Sequence, residues 1–233
     1  MEAVQTNIMG ASYVCQAAIE AGVECVVTLS TDKAVEPVNV MGMSKALQER
    51  TVAAYAGKGL RVGIVRYGNV LASNGSVVPY FKQLLEQGAT ELPVTDRRMT
   101  RFVLTLDDSV QLVLHALAHC HDGETFVLHL PAFLIWDLAE VMAAHASRNG
   151  IKVTVKEIGI RPGEKIHECL ISSEEMRRAS NEGAFWKIRR YRSGEELFTP
   201  SREESNLISN GVTLMSQPEI HKLLDQHECF PVL

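Results

Sequence analysis

The feature that most restricts the fold is a strand–helix–strand pattern close to the N-terminus. Cys25-Val26-Val27-Thr28-Leu29 is a short apolar run bounded by turn signals, as expected of a buried parallel strand. A loop from Ser30 to Val40 carries Pro37, and a helical pattern follows from Gly42 to Ala56. Arg61-Val62-Gly63-Ile64-Val65-Arg66-Tyr67 reads as the next strand. Two such strands joined through a helix form one βαβ crossover, so the class is α/β with a parallel sheet. Ahead of them, Glu2 to Ala21 reads as a helix, with Ile8, Met9, Val14, Ala17 and Ile19 apolar and Gly22 ending it.

Beyond Gly68 the rhythm changes. Helical patterns are expected at Val78 to Gln87, Leu106 to Cys120 and Ile135 to Ala146. Strands are expected at Leu92 to Val94, Thr125 to Leu130 and Val153 to Ile158. These read together as a smaller α/β lobe beside the parallel sheet. From about Tyr191 the pattern weakens into a polar tail with one late helix, Glu219 to Gln226. The expected organisation is therefore a sheet-bearing part at 1–70, a lobe at 71–190 and a C-terminal arm at 191–233.

Charge and cysteine usage narrow the function. A net charge of −5 argues against a nucleic-acid or membrane-surface partner, either of which wants a basic face. No apolar run reaches membrane-spanning length, and the first residues lack the layout of a signal peptide. The 5 cysteines are odd in number, scattered and never spaced Cys-x-x-Cys, which suits a reduced cytoplasmic protein.

The chemistry-bearing run is Ser30-Thr31-Asp32-Lys33, at the end of the first strand, where α/β sheets place their ligands. It sets a hydroxyl, an acid and an amine side by side, and Lys45 on the next helix can point back to them. A solvated turn with a surface ion pair explains the same residues equally well at this point. His115, His119 and His121 flank Cys120 with an i, i+4 pair of the kind that ligates zinc. They lie on an amphipathic helix without an acidic partner pattern, so no metal site is expected. Gly57-Lys58-Gly59-Leu60-Arg61-Val62-Gly63 has the spelling of a dinucleotide fingerprint but precedes a strand, and reads as a turn.

Further stretches, in order, shift the balance between these readings. They are Thr6-Asn7-Ile8-Met9-Gly10, Met41-Gly42-Met43-Ser44-Lys45, Arg66-Tyr67-Gly68-Asn69-Val70 and Ser73-Asn74-Gly75-Ser76-Val77-Val78-Pro79. Asp96-Arg97-Arg98-Met99-Thr100-Arg101-Phe102 and Gly159-Ile160-Arg161-Pro162-Gly163-Glu164-Lys165 complete the set. Together they resemble the inverting UDP-N-acetylglucosamine 4,6-dehydratases of bacterial capsule and O-antigen synthesis, extended short-chain dehydrogenases/reductases. The likeness runs from residue 1 to about residue 190.

That resemblance implies a UDP-sugar held between the sheet edge and the smaller lobe, with NADP or NAD as cofactor. It makes Lys33 the base for the carbon-5 proton and Asp32 the acid for the departing carbon-6 hydroxyl. A lysine acts as a base only when neutral. Thr31 would bond the sugar near carbon 4, and Lys45 would hold the nicotinamide ribose, with Leu29, Ser30 and Tyr67 completing the cofactor contacts. Asn69, Ser73, Arg101, Arg161 and Glu164 look like UDP contacts, arginine forks suiting pyrophosphate oxygens. Met41 stands where reductases of this superfamily carry a proton-accepting tyrosine, as in a branch with serine, methionine and lysine. The resemblance also implies a homo-oligomer, a hexamer in the capsule enzymes, with the 191–233 arm reaching a neighbouring subunit.

Two rivals remain open. A 4-epimerase or 4-ketoreductase would use the same scaffold without needing the Asp32–Lys33 pair. A non-catalytic fragment acting as an assembly module is the other. None of the 16 glycines sits in a strand-to-helix phosphate-binding turn. In the resembling family Met1 corresponds to a point on the order of a hundred residues beyond that turn. The chain alone is accordingly expected to bind the dinucleotide weakly and to be inactive until an upstream half is supplied.

Overall fold

The structure, a computed structural model, describes residues 1–148, 150, 152–191 and 205–232; part of the expected arm, residues 192–204 and 233, lies outside the described residues. The chain opens with a π-helical turn, Val4–Gly10, running into α1 (Ala11–Glu20). β1 (Cys25–Thr31), a 3-10 turn at Asp32–Ala34, α2 (Val40–Ala53) and β2 (Arg61–Tyr67) follow. Next come β3 (Asn69–Val70), α3 (Val77–Glu86), β4 (Glu91–Val94) and β5 (Thr100–Leu104), then α4 (Leu106–His119) and β6 (Glu124–Leu128). β7 (Ala132–Leu134), α5 (Ile135–Arg148) and β8 (Thr154–Glu157) precede β9 (Cys169–Ile171) and α6 (Ser173–Met176). The chain closes through β10 (Ala179–Glu182), β11 (Phe185–Ile188), β12 (Leu207–Ile208) and α7 (Gln217–Gln226). Among the described residues no helix is long and apolar enough to cross a membrane.

These elements sort into two compact units that alternate along the chain. The first takes Met1–Gly68, Leu106–His129 and Cys169–Ile208; the second takes Asn69–Thr105, Leu130–Glu168 and Ser209–Leu233. The first change of unit, after Gly68, falls beside the expected boundary at residue 70. The simple three-part order does not hold beyond it.

The first unit is a five-stranded sheet in the order β1-β2-β6-β11-β10. β1, β2 and β6 are mutually parallel, and β11 and β10 add an antiparallel hairpin beside β6. The strand expected at Thr125 to Leu130 therefore belongs to the main sheet and not to the smaller lobe. Alternation along β2 explains how both faces are covered. Val62 and Ile64 pack with Cys15, Ala18 and Val52 of α1 and α2, while Val65 packs with Leu112, Ala116 and Phe126. β2 is buried throughout its middle, whereas Leu29 on the end strand β1 is 49% exposed.

Arg66 is the polar keystone of this unit. Its guanidinium, 3% exposed, bonds both oxygens of Glu49 on α2 at 2.9 and 2.7 Å. It also bonds both oxygens of Glu175 on α6 at 2.8 and 2.7 Å, and the Leu170 carbonyl at 3.1 Å. Burial pushes the Glu175 carboxyl up, but the hydrogen bonds and charge of Arg66 outweigh it and hold Glu175 down at about 2. A carboxyl depressed in the folded state contributes stability above its unfolded value and loses it as pH falls. The Glu175 contribution is thus complete above about pH 4.5 and gone near about pH 2. Arg66→Leu strands two buried carboxylates and is expected to cost about 3–5 kcal/mol, measured by denaturant unfolding at neutral pH. The deficit should shrink as acid protonates Glu175.

The second unit holds a three-stranded sheet, β3-β5-β7, and a two-stranded one, β4-β8. Its core gathers Phe81 and Leu85 of α3, Leu92 of β4, Leu138 and Met142 of α5, and Ile220 and Leu224 of α7. This corrects the arm: α7 is not a free tail, because Ile220 and Leu224 are both 0% exposed. Phe230 stacks on His145 at 4.0 Å, while Val232 is 88% exposed.

Candidate functional site

β1 ends in a chain of hydrogen bonds. The Thr31 hydroxyl donates to Asp32 Oδ1 at 3.0 Å, and Lys33 Nζ donates to the same oxygen at 2.9 Å. Thr31 also caps the 3-10 turn, accepting from the Lys33 amide at 3.4 Å. Asp32 is 0% exposed, and its Oδ2 has no hydrogen-bond partner among the described residues. The Lys33 side chain keeps 29% exposure, against 0% for Asp32.

α2 presses its first turn onto this chain. Asn39 caps it, accepting from the Gly42 amide at 2.9 Å. A Cβ on Gly42 would lie 2.2 Å from the Lys33 carbonyl oxygen, so only glycine permits this approach. Asn7, on the π-helical turn, donates to Ser44 Oγ at 2.9 Å, and Ser44 donates to the Met41 carbonyl at 2.8 Å. The Met41 side chain itself is 44% exposed. Lys45 Nζ reaches back to the Leu29 carbonyl at 3.0 Å. Its burial lowers the ammonium below the usual lysine range, with the Glu49 charge opposing the shift.

Two expected cofactor contacts have other employment. The Ser30 hydroxyl is buried and donates to Glu49, and the Tyr67 hydroxyl donates to the Ser109 carbonyl at 3.1 Å. Both hydroxyls hold the fold together, which the sequence did not foretell. The histidines also have local roles: His115 stacks on Phe185 at 3.9 Å and on His119 at 4.3 Å.

In the second unit a cavity of about 550 Å³ is lined by Asn69, Ser76, Tyr80, Arg101, Arg161 and Glu164, among others. Asn69 Oδ1, Ser76 Oγ and Glu164 Oε2 are buried there without partners among the described residues. Buried polar atoms are almost always satisfied, so these three are available to polar groups that enter the cavity. Arg161-Pro162-Gly163-Glu164 is a type II turn, with Gly163 at φ 82° and the Glu164 amide donating to the Arg161 carbonyl at 3.2 Å.

Arg101 lines the cavity, but its fork is occupied. It donates to the carbonyls of Thr100 (2.7 Å), Ile166 (3.1 Å) and Lys165 (3.0 Å), and faces Glu168 at 3.7 Å. It is a clamp on the loop that follows the Arg-Pro-Gly-Glu turn, leaving Arg161 as the exposed arginine of the lining. Beneath it, the Thr100 hydroxyl meets His167 Nδ1 at 2.8 Å and Ser209 Oγ at 2.6 Å. Ser73 lies outside the cavity lining, in a turn where its amide donates to the Val70 carbonyl. Leu29, Thr31, Asp32, Lys33, Met41 and Lys45 thus gather in the first unit, and Asn69, Arg101, Arg161 and Glu164 in the second.

A parallel sheet built through a βαβ crossover, with polar groups at a strand's C-terminal end, defines a Rossmann-type α/β protein. The family of polysaccharide biosynthesis proteins matches residues 1–190, and the chain belongs to it. It is 47% identical over 179 residues to the UDP-N-acetylglucosamine 4,6-dehydratase (inverting) of Campylobacter jejuni subsp. jejuni serotype O:2, covering 75% of this chain and 52% of that one. It is also 46% identical over 192 residues to the UDP-glucose 4-epimerase of Rickettsia canadensis, covering 81% and 55%. The chain spans about half the length of the curated relatives it matches. Among solved structures, Pen from Bacillus thuringiensis superposes with a TM-score of 0.86 at 32% identity, covering 98% of this chain and 70% of that one. DesIV, a dTDP-glucose 4,6-dehydratase from Streptomyces venezuelae with NAD and TYD bound, shares the fold at a TM-score of 0.60 and 24% identity, covering 70% and 56%.

Proposed function

We propose that this chain carries the catalytic and UDP-binding residues of an enzyme that dehydrates UDP-N-acetylglucosamine across carbons 4 to 6, with inversion at carbon 5, in the cytoplasm. The observation that carries the reading is the Thr31–Asp32–Lys33 chain at the end of β1. An epimerisation at carbon 4 needs no second acid–base pair; a dehydration does. The inverting dehydratase relatives support the same choice.

Lys45, partly buried beside the half-exposed Leu29 at the end of β1, fits the ribose of a nicotinamide cofactor. Among the described residues no strand runs through a glycine-rich turn into a helix, so the turn that would hold the dinucleotide's own pyrophosphate is not among them. When bound, NAD or NADP would take a hydride from sugar carbon 4 and return it at carbon 6, and the intervening ketone acidifies the carbon-5 proton.

The chain's own residues supply the proton traffic. Lys33 Nζ donates to Asp32 Oδ1 across 2.9 Å, so base and acid stand side by side. In this reading Lys33 serves as the base and Asp32 as the acid. Lys33 takes the carbon-5 proton while the carbon-6 hydroxyl leaves as water with the acid proton. Asp32 is fully buried, so the Thr31 hydroxyl, bonded to the same oxygen, is the outlet for that proton. Returning a proton to the opposite face of carbon 5 inverts the centre. The open acceptors Asn69 and Glu164 suit the hydroxyls and amide of a nucleoside, and Arg161 suits its pyrophosphate. Arg161→Ala and Glu164→Ala are each expected to weaken UDP binding about 10- to 100-fold in a calorimetric titration, since hydrogen bonds to charged groups are worth about 1.5–3 kcal/mol.

The Rickettsia relatives favour a second reading, a 4-epimerase on the same scaffold. NMR of UDP-N-acetylglucosamine incubated with the chain joined to a dinucleotide-binding half separates the two. A 4-keto-6-deoxy product with a carbon-6 methyl signal supports dehydration. A carbon-4 epimer with its carbon-6 hydroxyl intact establishes the rival.

A further inference from the structure

Two thiols from distant parts of the first unit meet beside its sheet. Cys25 opens β1, and Cys120 directly follows α4. They are 95 positions apart in sequence, yet their sulfurs lie 3.3 Å from each other. Cys120 is 0% exposed and Cys25 is half-buried, and both are free thiols.

The contact depends on a glycine in the neighbouring strand. Gly63 sits in the middle of β2, a buried position where glycine weakens a strand. A Cβ there would lie 2.9 Å from Cys120 Cβ and 3.1 Å from its sulfur. Glycine at 63 thus opens the space through which the Cys120 side chain lies across β2 and meets β1. The other cysteines have separate surroundings. Cys15 is packed in the α1–α2 core, and Cys169 and Cys229 donate to the main-chain carbonyls of Ile171 and His227.

We propose that Cys25 and Cys120 form an oxidation site, which a peroxide converts to an intramolecular disulfide tying the start of β1 to the end of α4. The sulfurs must close by about 1.2 Å to reach the bonded distance of about 2.05 Å. Burial, and the contact with Cys25, push the Cys120 thiol up to about 12, so it stays protonated. Cys25, the more open sulfur, is the one that meets the oxidant. Peroxide oxidises it to a sulfenic acid and is reduced to water. The Cys120 sulfur then attacks the sulfenic sulfur; the S–O bond breaks as the S–S bond forms, and the thiol proton leaves with the hydroxide as a second water. A thiol reductant reverses the change.

The test is thiol counting on the chain itself after brief treatment with hydrogen peroxide at neutral pH. Fully reduced, denatured protein takes up five maleimide adducts, one for each of its 5 cysteines. The oxidised monomer is expected to take up three, with a peptide cross-link joining Cys25 to Cys120, and to recover all five after dithiothreitol. Its thermal midpoint should rise by on the order of 5–10 °C, because the bond closes a long loop. Cys25→Ser, at a half-buried edge position, should stop the two-thiol loss, and Cys120→Ala checks the other partner. Five adducts retained after peroxide would overturn the proposal. So would an undiminished two-thiol loss in Cys25→Ser, or a disulfide found only between two copies of the chain.

Discussion

Lys33→Ala is expected to lower the dehydration rate by about 10³- to 10⁴-fold, the range spanned by a positioned general base at its upper end. Lys33→Arg should not restore it. Arginine stays protonated at any usable pH, and its longer planar head cannot reproduce the amine's approach to carbon 5. In Lys33→Ala the Asp32 carboxyl also loses the amine bonded to it at 2.9 Å. The readout is exchange of the carbon-5 proton with heavy water, followed separately from product formation. Exchange at the unmutated rate in Lys33→Ala would remove Lys33 from the role.

Gly42→Ala is the second change with a large expected effect, and two opposing terms decide it. Alanine in a helix is favoured over glycine by about 1 kcal/mol. Against this stands an added carbon 2.2 Å from the Lys33 carbonyl oxygen, a main-chain atom that cannot rotate away. Overpacking of that kind typically costs about 1–3 kcal/mol and is relieved by moving the backbone. The piece that must move carries Lys33 on one side and leads to Lys45 on the other. A displacement of about 1 Å at such a place is worth about 100-fold in rate. The expectation is therefore a small loss in thermal midpoint with a much larger loss of activity. A raised midpoint with full activity would show that helix propensity wins and that the contact is not tight.

How much of this was legible beforehand follows from the physics of each element. β2 was readable from Arg61 to Tyr67 because a buried parallel strand is a continuous apolar run. α4 and α5 were readable because each buries one face at helical spacing. β7, β9 and β12, of two or three residues, carry too little pattern to be seen, and the β10–β11 hairpin is mostly polar on its outer strand. The Thr125 strand was found but misplaced, since sequence spacing does not say which sheet a strand joins. α7 was found yet read as part of a free arm, because its apolar residues are few; Ile220 and Leu224 are nevertheless completely buried.

The same logic applies to the candidate site. Thr31, Asp32 and Lys33 were legible as adjacent chemical groups, and their shared hydrogen bonds follow from adjacency. The Arg161 to Glu164 turn was legible because proline followed by glycine has one favoured geometry. Ser30, Tyr67 and Arg101 were placed on spelling alone, and only the fold reveals that Glu49, Ser109 and three carbonyls already hold them. Asn7 and Gly42 were quoted as part of motifs without a role. Their roles are contacts over distance: Asn7 meets Ser44, 37 positions away, and Gly42 meets the Lys33 carbonyl.

The destination of one hydrogen tests the central claim most directly. UDP-N-acetylglucosamine carrying deuterium on carbon 4 is supplied to the chain joined to a dinucleotide-binding half, and the product is read by deuterium NMR. Dehydration through the Thr31–Asp32–Lys33 chain predicts that the label moves to the carbon-6 methyl group, with a solvent-derived hydrogen at carbon 5. A label returned to carbon 4, with the configuration there inverted and carbon 6 still hydroxylated, would contradict the account.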